Sequence, residues 1–194
     1  MTWLAGIGRS QALFFKQILS CVGILFFSFT SYAEKADQNK PLLFDAAQAN
    51  FDDLKQIHTF SGRVVLTKGT MVLKSEFAQV RIDPEGNEYL TATAAPGQVV
   101  FLRQKTDNPD EFMEGYGERV EYDVKSDVVR FIGKARLKRL LGKTVMDDIQ
   151  GKTITRDGVR ATYQAQGYPE AVAGEDQRVH IRITPRGNKP GGTK

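Results

Sequence analysis

Cys21, His58 and His180 are the only thiol and imidazoles in the 194 residues, so they are where nucleophilic, general-base or metal chemistry would have to begin. Such chemistry needs several of these groups converging on one point. A single Cys cannot make a disulfide or a Cys-based zinc site, and two isolated His make neither a triad nor a metal cluster. His58 and His180 each sit in a strand-like run and read as surface or core fillers. Glu114 with the pair Asp147-Asp148 offers the carboxylates of a glycosidase, but nothing in the sequence fixes their separation. There is no G-x-S-x-G elbow. The expectation is a protein that is not an enzyme, with no catalytic residue, no metal and no cofactor.

The first 33 residues read as a leader. Arg9 and Lys16 precede an apolar run over 18–29, and Ser31-Tyr32-Ala33 places small residues at the exit. That order is a secretory signal peptide, cleaved after about Ala33. The run is about 12 residues, short of the roughly 20 a membrane-crossing helix needs. Cys21 follows Ile18-Leu19-Ser20 as a lipidated Cys might, but the apolar run continues past it instead of ending there. Without residues 1–33 the chain carries 25 Lys+Arg against 23 Asp+Glu and no Cys, so an exported domain must rest on its core. A net charge of +2 gives no reason to expect nucleic acid. The organisation expected is a leader over 1–33, one domain over 34–185 and a disordered basic tail over 186–194.

The elements that would position any site are written with a period of two. Val120, Tyr122 and Val124 alternate with Arg119, Glu121 and Asp123; Val179, Ile181 and Ile183 alternate with Arg178, His180 and Arg182; Ala78, Val80 and Ile82 alternate with Gln79 and Arg81. Alternation of this kind suits strands with one buried face. Turn residues punctuate the runs, and Asp157-Gly158 between 149–156 and 159–165 is a hairpin signal. A helix is hard to place, with 46–56 the best candidate. The fold class is therefore all-β, a sandwich, jelly roll or barrel. There is also an internal echo: Phe51-Asp52, Phe60-Ser61-Gly62-Arg63 and Leu66 match Tyr122-Asp123, Phe131-Ile132-Gly133-Lys134 and Leu137, each 71 residues on. It suggests a duplicated half-domain or two similar corners, in which Phe-x-Gly buries an aromatic and then bends the strand.

The run 60–70 (FSGRVVLTKGT), Glu114-Gly115, the run 122–133 (YDVKSDVVRFIG) and the stretch 149–155 (IQGKTIT) resemble the LptA-type OstA-like domain family of lipopolysaccharide-transport proteins. The resemblance runs from about Pro41 to Pro185. It implies an open antiparallel β-jelly roll whose interior receives the acyl chains of lipid A. It also implies a place in the Gram-negative periplasm and head-to-tail stacking of copies. The partners implied are lipopolysaccharide, the chain itself, and inner-membrane LptC-like and outer-membrane LptD-like proteins of the same fold. The chain is too short for a barrel-bearing LptD-like member, and Ser31-Tyr32-Ala33 favours a cleaved leader. The alternatives are an LptC-like anchored partner or a structural β-domain that carries no lipid. Arg130 and Arg156 stand where the family pattern suggests apolar residues.

A lipid carrier needs a continuous apolar trough, because each exposed CH₂ costs about 0.8 kcal/mol. The alternation and the implied fold nominate Leu42, Phe44, Val64, Leu66, Phe101, Val120, Tyr122, Val124, Phe131, Ala135 and Leu137 as its lining. A half-open groove would leave the Tyr122 hydroxyl its partner in water. Stacking needs unpaired edges, for which the candidates are Pro41, Leu43 and Asp45 at one end and Val179, Ile181 and Ile183 at the other. The basic cluster Lys134, Arg136, Lys138, Arg139 and Lys143 could touch phosphate, but it reads more simply as an outer face balanced by Asp147 and Asp148.

Overall fold

In a computed structural model, which describes residues 37, 39–168 and 178–185, the period-two runs become twelve strands. In chain order these are β1 (Leu43–Asp45), β2 (Gln48–Asp52), β3 (Ile57–Lys68), β4 (Met71–Ile82), β5 (Glu88–Thr93) and β6 (Val100–Lys105). There follow β7 (Glu111–Gly117), β8 (Arg119–Asp123), β9 (Val128–Leu141), β10 (Thr144–Asp157), β11 (Thr162–Gln166) and β12 (His180–Arg182). The expected leader over 1–33 and the basic tail over 186–194 lie outside the described residues. Among the described residues no helix is long and apolar enough to cross a membrane.

All pairings are antiparallel, and four long strands carry the chain between two layers. β3 pairs with β4 on both sides of a bend, as β9 does with β10. One layer has the order β2-β3-β4-β5-β8-β9-β10-β11, and the other β1-β3-β4-β6-β7-β9-β10-β12. This is the expected antiparallel jelly roll. Its open edges are β1 and β2 on one rim and β11 and β12 on the other.

The echo in the sequence is a duplication of this pairing scheme. Phe51 faces His58 in β2–β3, and 71 residues on Tyr122 faces Val129 in β8–β9. Phe44 faces Leu66 as Gly115 faces Leu137. β4, β5 and β6 correspond likewise to β10, β11 and β12. The two Phe-x-Gly motifs sit at the bends of β3 and β9. Gly62 (φ 81°) and Arg63 (φ 49°) turn one strand, and Gly133 (φ 72°) and Lys134 (φ 47°) turn the other. Glycine takes this left-handed conformation without the Cβ clash that other residues meet.

Two expectations give way. Residues 46–56 form no helix but β2 and a turn: every side chain over 46–51 is exposed, so no buried stripe exists to hold a helix, and backbone pairing to β3 decides instead. The Asp157-Gly158 hairpin is present, but β11 starts at Thr162 instead of Val159, and Ala161 (φ 52°) takes the left-handed position. Gly158 matters for space, since a Cβ there would overlap the Asp127 carboxylate.

Candidate functional site

The middle of the sandwich is filled by its own side chains. Val64, Leu66, Val120 and Phe131 are fully buried, with Tyr122, Ala135 and Leu137 nearly so, and Leu42, Phe44 and Val124 pack half-buried against them. Ten of the eleven nominated lining residues thus meet in one cluster, but as a closed core over most of its length. Phe101 is the exception. It points outward, its ring 5.4 Å from Tyr116, while Val100 and Leu102 take the inward positions. The sequence carries the signal: Phe101 shares its parity with Arg103 and Lys105, and charge belongs outside. Arg130 likewise faces out, near Glu121, whereas Arg156 does point in.

One rim is open. Between the layers at the β11–β12 side lies a cavity of about 470 Å³, a size ordinary for a small-molecule site. Met113, Leu137 and Ile149 form its apolar floor, and Ala161 and Tyr163 face them. Ile183 and Thr184 stand at the mouth. Of the nominated lining only Leu137 reaches this space. Met113, Ile149 and Tyr163 were missed, Met113 because the run Glu111-Phe112-Met113-Glu114 shows no clean alternation. Charges brace the mouth without filling it. Arg139 Nε donates to Asp147 Oδ2 at 2.7 Å and Nη1 to Glu111 Oε2 at 3.1 Å. These bonds, Asp147 first, outweigh desolvation and hold the guanidinium pKa above its ordinary value. The Thr184 N–H donates to Asp147 Oδ1 at 3.0 Å, tying the segment after β12 to β10.

Next to this cavity the interior is closed by buried polar groups, among which Arg156 is hydrogen-bonded to the cavity-lining Tyr163. Lys68, at the end of β3, is 2% exposed, and its Nζ donates to the Tyr122 hydroxyl at 3.0 Å. That hydroxyl donates to Asp127 Oδ1 at 3.2 Å, so its partners are protein and not water. Arg156 Nη1 lies 3.8 Å from Asp127 Oδ2. Burial raises the pKa of Tyr122 and of Asp127 and lowers that of Lys68 and Arg156. Asp37, also buried, accepts from the Thr70 N–H at 2.9 Å and caps the β3–β4 hairpin. Lys68 was legible as inward only through its parity with Val64 and Leu66.

The remaining candidates find structural places. Asp148 pairs bidentately with Arg136, and Glu114 bonds Arg103 and Tyr116, so the glycosidase carboxylates are engaged in separate interactions. His58 has Asp53 4.0 Å away, a carboxylate five residues earlier in the chain, and its ring packs edge-on to Phe51. Among the described residues no group of three His, Cys, Asp or Glu could hold a metal ion. The basic cluster divides: Lys134 pairs with Glu118, Arg136 with Asp148 and Arg139 with Asp147, while Lys138 lies over the Tyr116 ring. Of the edge candidates, Leu43 and Asp45 lie exposed on β1, preceded by Pro41, and Ile181 lies exposed on β12, flanked by Val179 and Ile183.

Residues 44–162 match a family model described as LptA/(LptD N-terminal domain) LPS transport protein. The lipopolysaccharide export system protein LptA of Haemophilus influenzae is 27% identical over 122 residues, which cover 63% of this chain and 70% of that protein. The protein of the same name from Escherichia coli K12 is 26% identical over 111 residues, 57% of this chain and 59% of that one. In structure the chain is similar to LptH of Pseudomonas aeruginosa, a periplasmic LptA homologue of the lipopolysaccharide transport device. The TM-score is 0.65 at 24% identity, over 77% of this chain and 99% of that one.

Proposed function

The chain belongs to the LptA/(LptD N-terminal domain) LPS transport protein family, and from that premise we propose that it is a periplasmic carrier of lipopolysaccharide. The observation that carries this reading is the cavity between the layers at an unpaired rim, with an apolar floor of Met113, Leu137 and Ile149 beneath a polar and charged mouth. An acyl chain of about 12 carbons costs on the order of 10 kcal/mol to expose to water. A slot between two apolar sheet faces removes that cost and leaves the sugars and phosphates in solvent. No reacting group is required, and none of the acids at the mouth stands apart from an ion pair or hydrogen bond. The charged, apolar and small-residue order of residues 1–33 supports export with cleavage after Ala33. Photocrosslinkers at Ile149 and Tyr163 are expected to capture lipopolysaccharide, and one at the outward Phe101 is not. Capture from Phe101 alone sinks the proposal.

The duplication supports a specific head-to-tail contact between copies. Inside one chain the halves join where Leu90 faces Tyr122 and Leu102 faces Gly115. Tyr163 corresponds to Leu90, Phe51 to Tyr122, Ile181 to Leu102 and Phe44 to Gly115. Repeating the same junction between molecules sets Tyr163 of one copy opposite Phe51 of the next, and Ile181 opposite Phe44. Edge strands with unpaired backbone invite such addition, and a heterologous contact that does not close extends into a filament. LptC-like and LptD-like domains would cap its ends. The pair Tyr163→Cys and Phe51→Cys is expected to form intermolecular disulfide ladders. Ladders equally strong from Tyr163→Cys with Ala49→Cys, or oligomers that persist after removal of residues 178–194, would contradict this register.

A further inference from the structure

The duplication does not repeat the buried charged cluster of the interior. Lys68, Tyr122, Asp127 and Arg156 correspond, through the duplicated registers, to Arg139, Phe51, Gln56 and Val80. Gln56 and Asp127 even share the left-handed turn conformation, at φ 54° and 51°. Arg139 lies on β9 at the rim cavity and Phe51 on the edge strand β2, so these counterparts form no cluster and the charged one occurs once among the described residues. The cluster is nonetheless costly to build. Lys68, Asp127 and Arg156 are each at most 5% exposed, and they come from β3, the β8–β9 turn and β10. Apolar replacements for buried ion pairs are often neutral or stabilising, whereas removing one partner leaves an uncompensated buried charge. A group of charges with that property holds a contact firmly while intact and gives way at once when broken.

We propose that the Lys68–Tyr122–Asp127–Arg156 cluster is a latch that holds the end of β3 against the second half of the sandwich, and that its release opens the closed interior to an acyl chain. The latch rests on the carrier reading above and extends it from the rim cavity into the core. Intact, it fastens the β3–β4 hairpin to β8 through Lys68 and Tyr122, and Asp37 clasps the tip of that hairpin from the segment before β1. Undone, it leaves the inner face of β8 and β9 beside Tyr122 without its cover, because Val129, 1% exposed, is the residue paired with Tyr122.

Single thiols report the opening. On a Cys21→Ser background, Val129→Cys lies beside the latch, and Ala135→Cys lies on the same strand beyond the bend. Asp127→Asn keeps the carboxylate's shape and removes its charge, taking the counter-charge away from the buried Lys68 and Arg156. It is expected to raise iodoacetamide alkylation of Val129→Cys about tenfold, with Ala135→Cys unchanged, and purified rough lipopolysaccharide added to the Asp127→Asn variant is expected to reverse that rise as an acyl chain covers the thiol. Tyr122→Phe, which removes only the hydroxyl, provides the same readout if Asp127→Asn does not fold. A Val129→Cys rate unmoved by both substitutions, or thiols that rise together as in general unfolding, overturns the latch. Protection of Ile149→Cys at the rim by lipopolysaccharide separates the two readings: retained while Val129→Cys stays silent, it leaves the carrier standing without a latch, and lost, it removes the carrier itself.

Discussion

The halves β1–β6 and β7–β12 share one pairing scheme and fill their bends differently. In the first half Phe44 stacks flat on Phe60, with ring centroids 4.0 Å apart. In the second, Gly115 occupies the place of Phe44, and the Phe131 ring lies where a Cβ on Gly115 would be. One bend is covered by a buried ring stacked on a half-buried one, and the other by a single ring sunk fully into the core. The comparison teaches that the duplicated backbone fixes where an aromatic must lie, while the residue across the strand decides how deep it goes. The interior diverges on the same terms, closed by buried charge at Lys68 and Tyr122 and opened to solvent at Met113 and Ile149.

The comparison breaks most readily at the second bend. Phe131→Ala is expected to cost about 3–5 kcal/mol, since a large side chain leaves a site that cannot collapse. Phe60→Ala should cost less, because Phe60 is 8% exposed and its partner Phe44 is only half-buried. Gly115→Ala should cost about 1–3 kcal/mol through overpacking, and much of that should return in a Phe131→Leu background, where the ring is gone. Urea unfolding of the four single variants and the Gly115→Ala/Phe131→Leu double variant checks this, and a neutral Gly115→Ala would end the comparison. At the latch, Tyr122→Phe leaves the Lys68 ammonium and the Asp127 carboxylate each short of a hydrogen bond, for about 1–3 kcal/mol. Its mirror, Phe51→Tyr, adds a hydroxyl to a ring that is 58% exposed and should change stability by less than about 0.5 kcal/mol.

Much of this architecture is legible in the residues, and what is not has physical reasons. The alternation through Val120 and Tyr122 and the repeated Phe-x-Gly carry the strands and both bends, because a buried face and a left-handed turn each demand particular side chains. Edge strands escape, since β2 is held by its backbone and leaves its side chains in solvent. The orientation of Phe101 is lost in the continuous apolar run 99–102, where only the charges that follow reveal the parity. Lys68 is hidden by its type, as a lysine reads as solvated until the Tyr122 and Asp127 that receive it are known to lie across the sandwich. The cavity floor is missed for a related reason: Met113, Ile149 and Tyr163 come from three strands that meet only once the second layer is closed over the first.

The outer faces of the two halves differ as well, and acid should tell them apart. On the second half Arg136 and Asp148 pair bidentately, at 2.8 and 2.5 Å, where the corresponding residues of the first half are Val65 and Val72. The Arg136 guanidinium, by hydrogen bonding first and charge second, holds the Asp148 carboxyl below its ordinary value of 3.8. A carboxylate lowered in this way binds its proton more readily in the unfolded chain. Its stabilising share is therefore complete above the ordinary value and is lost as the pH falls through the folded-state pKa. With Arg136 half in solvent, that share is at most about 1 kcal/mol. Urea midpoints of the unsubstituted protein and of Asp148→Asn, taken from about pH 5 down to pH 2, should differ by that amount at the upper end and converge at the lower. Amide exchange should locate the loss along β9 and β10 and leave β3 and β4 unchanged, because Val65 and Val72 carry no group that gains a proton. A gap that stays constant with pH would mean that Asp148 acts by packing alone, and the outer faces of the two halves would then be alike.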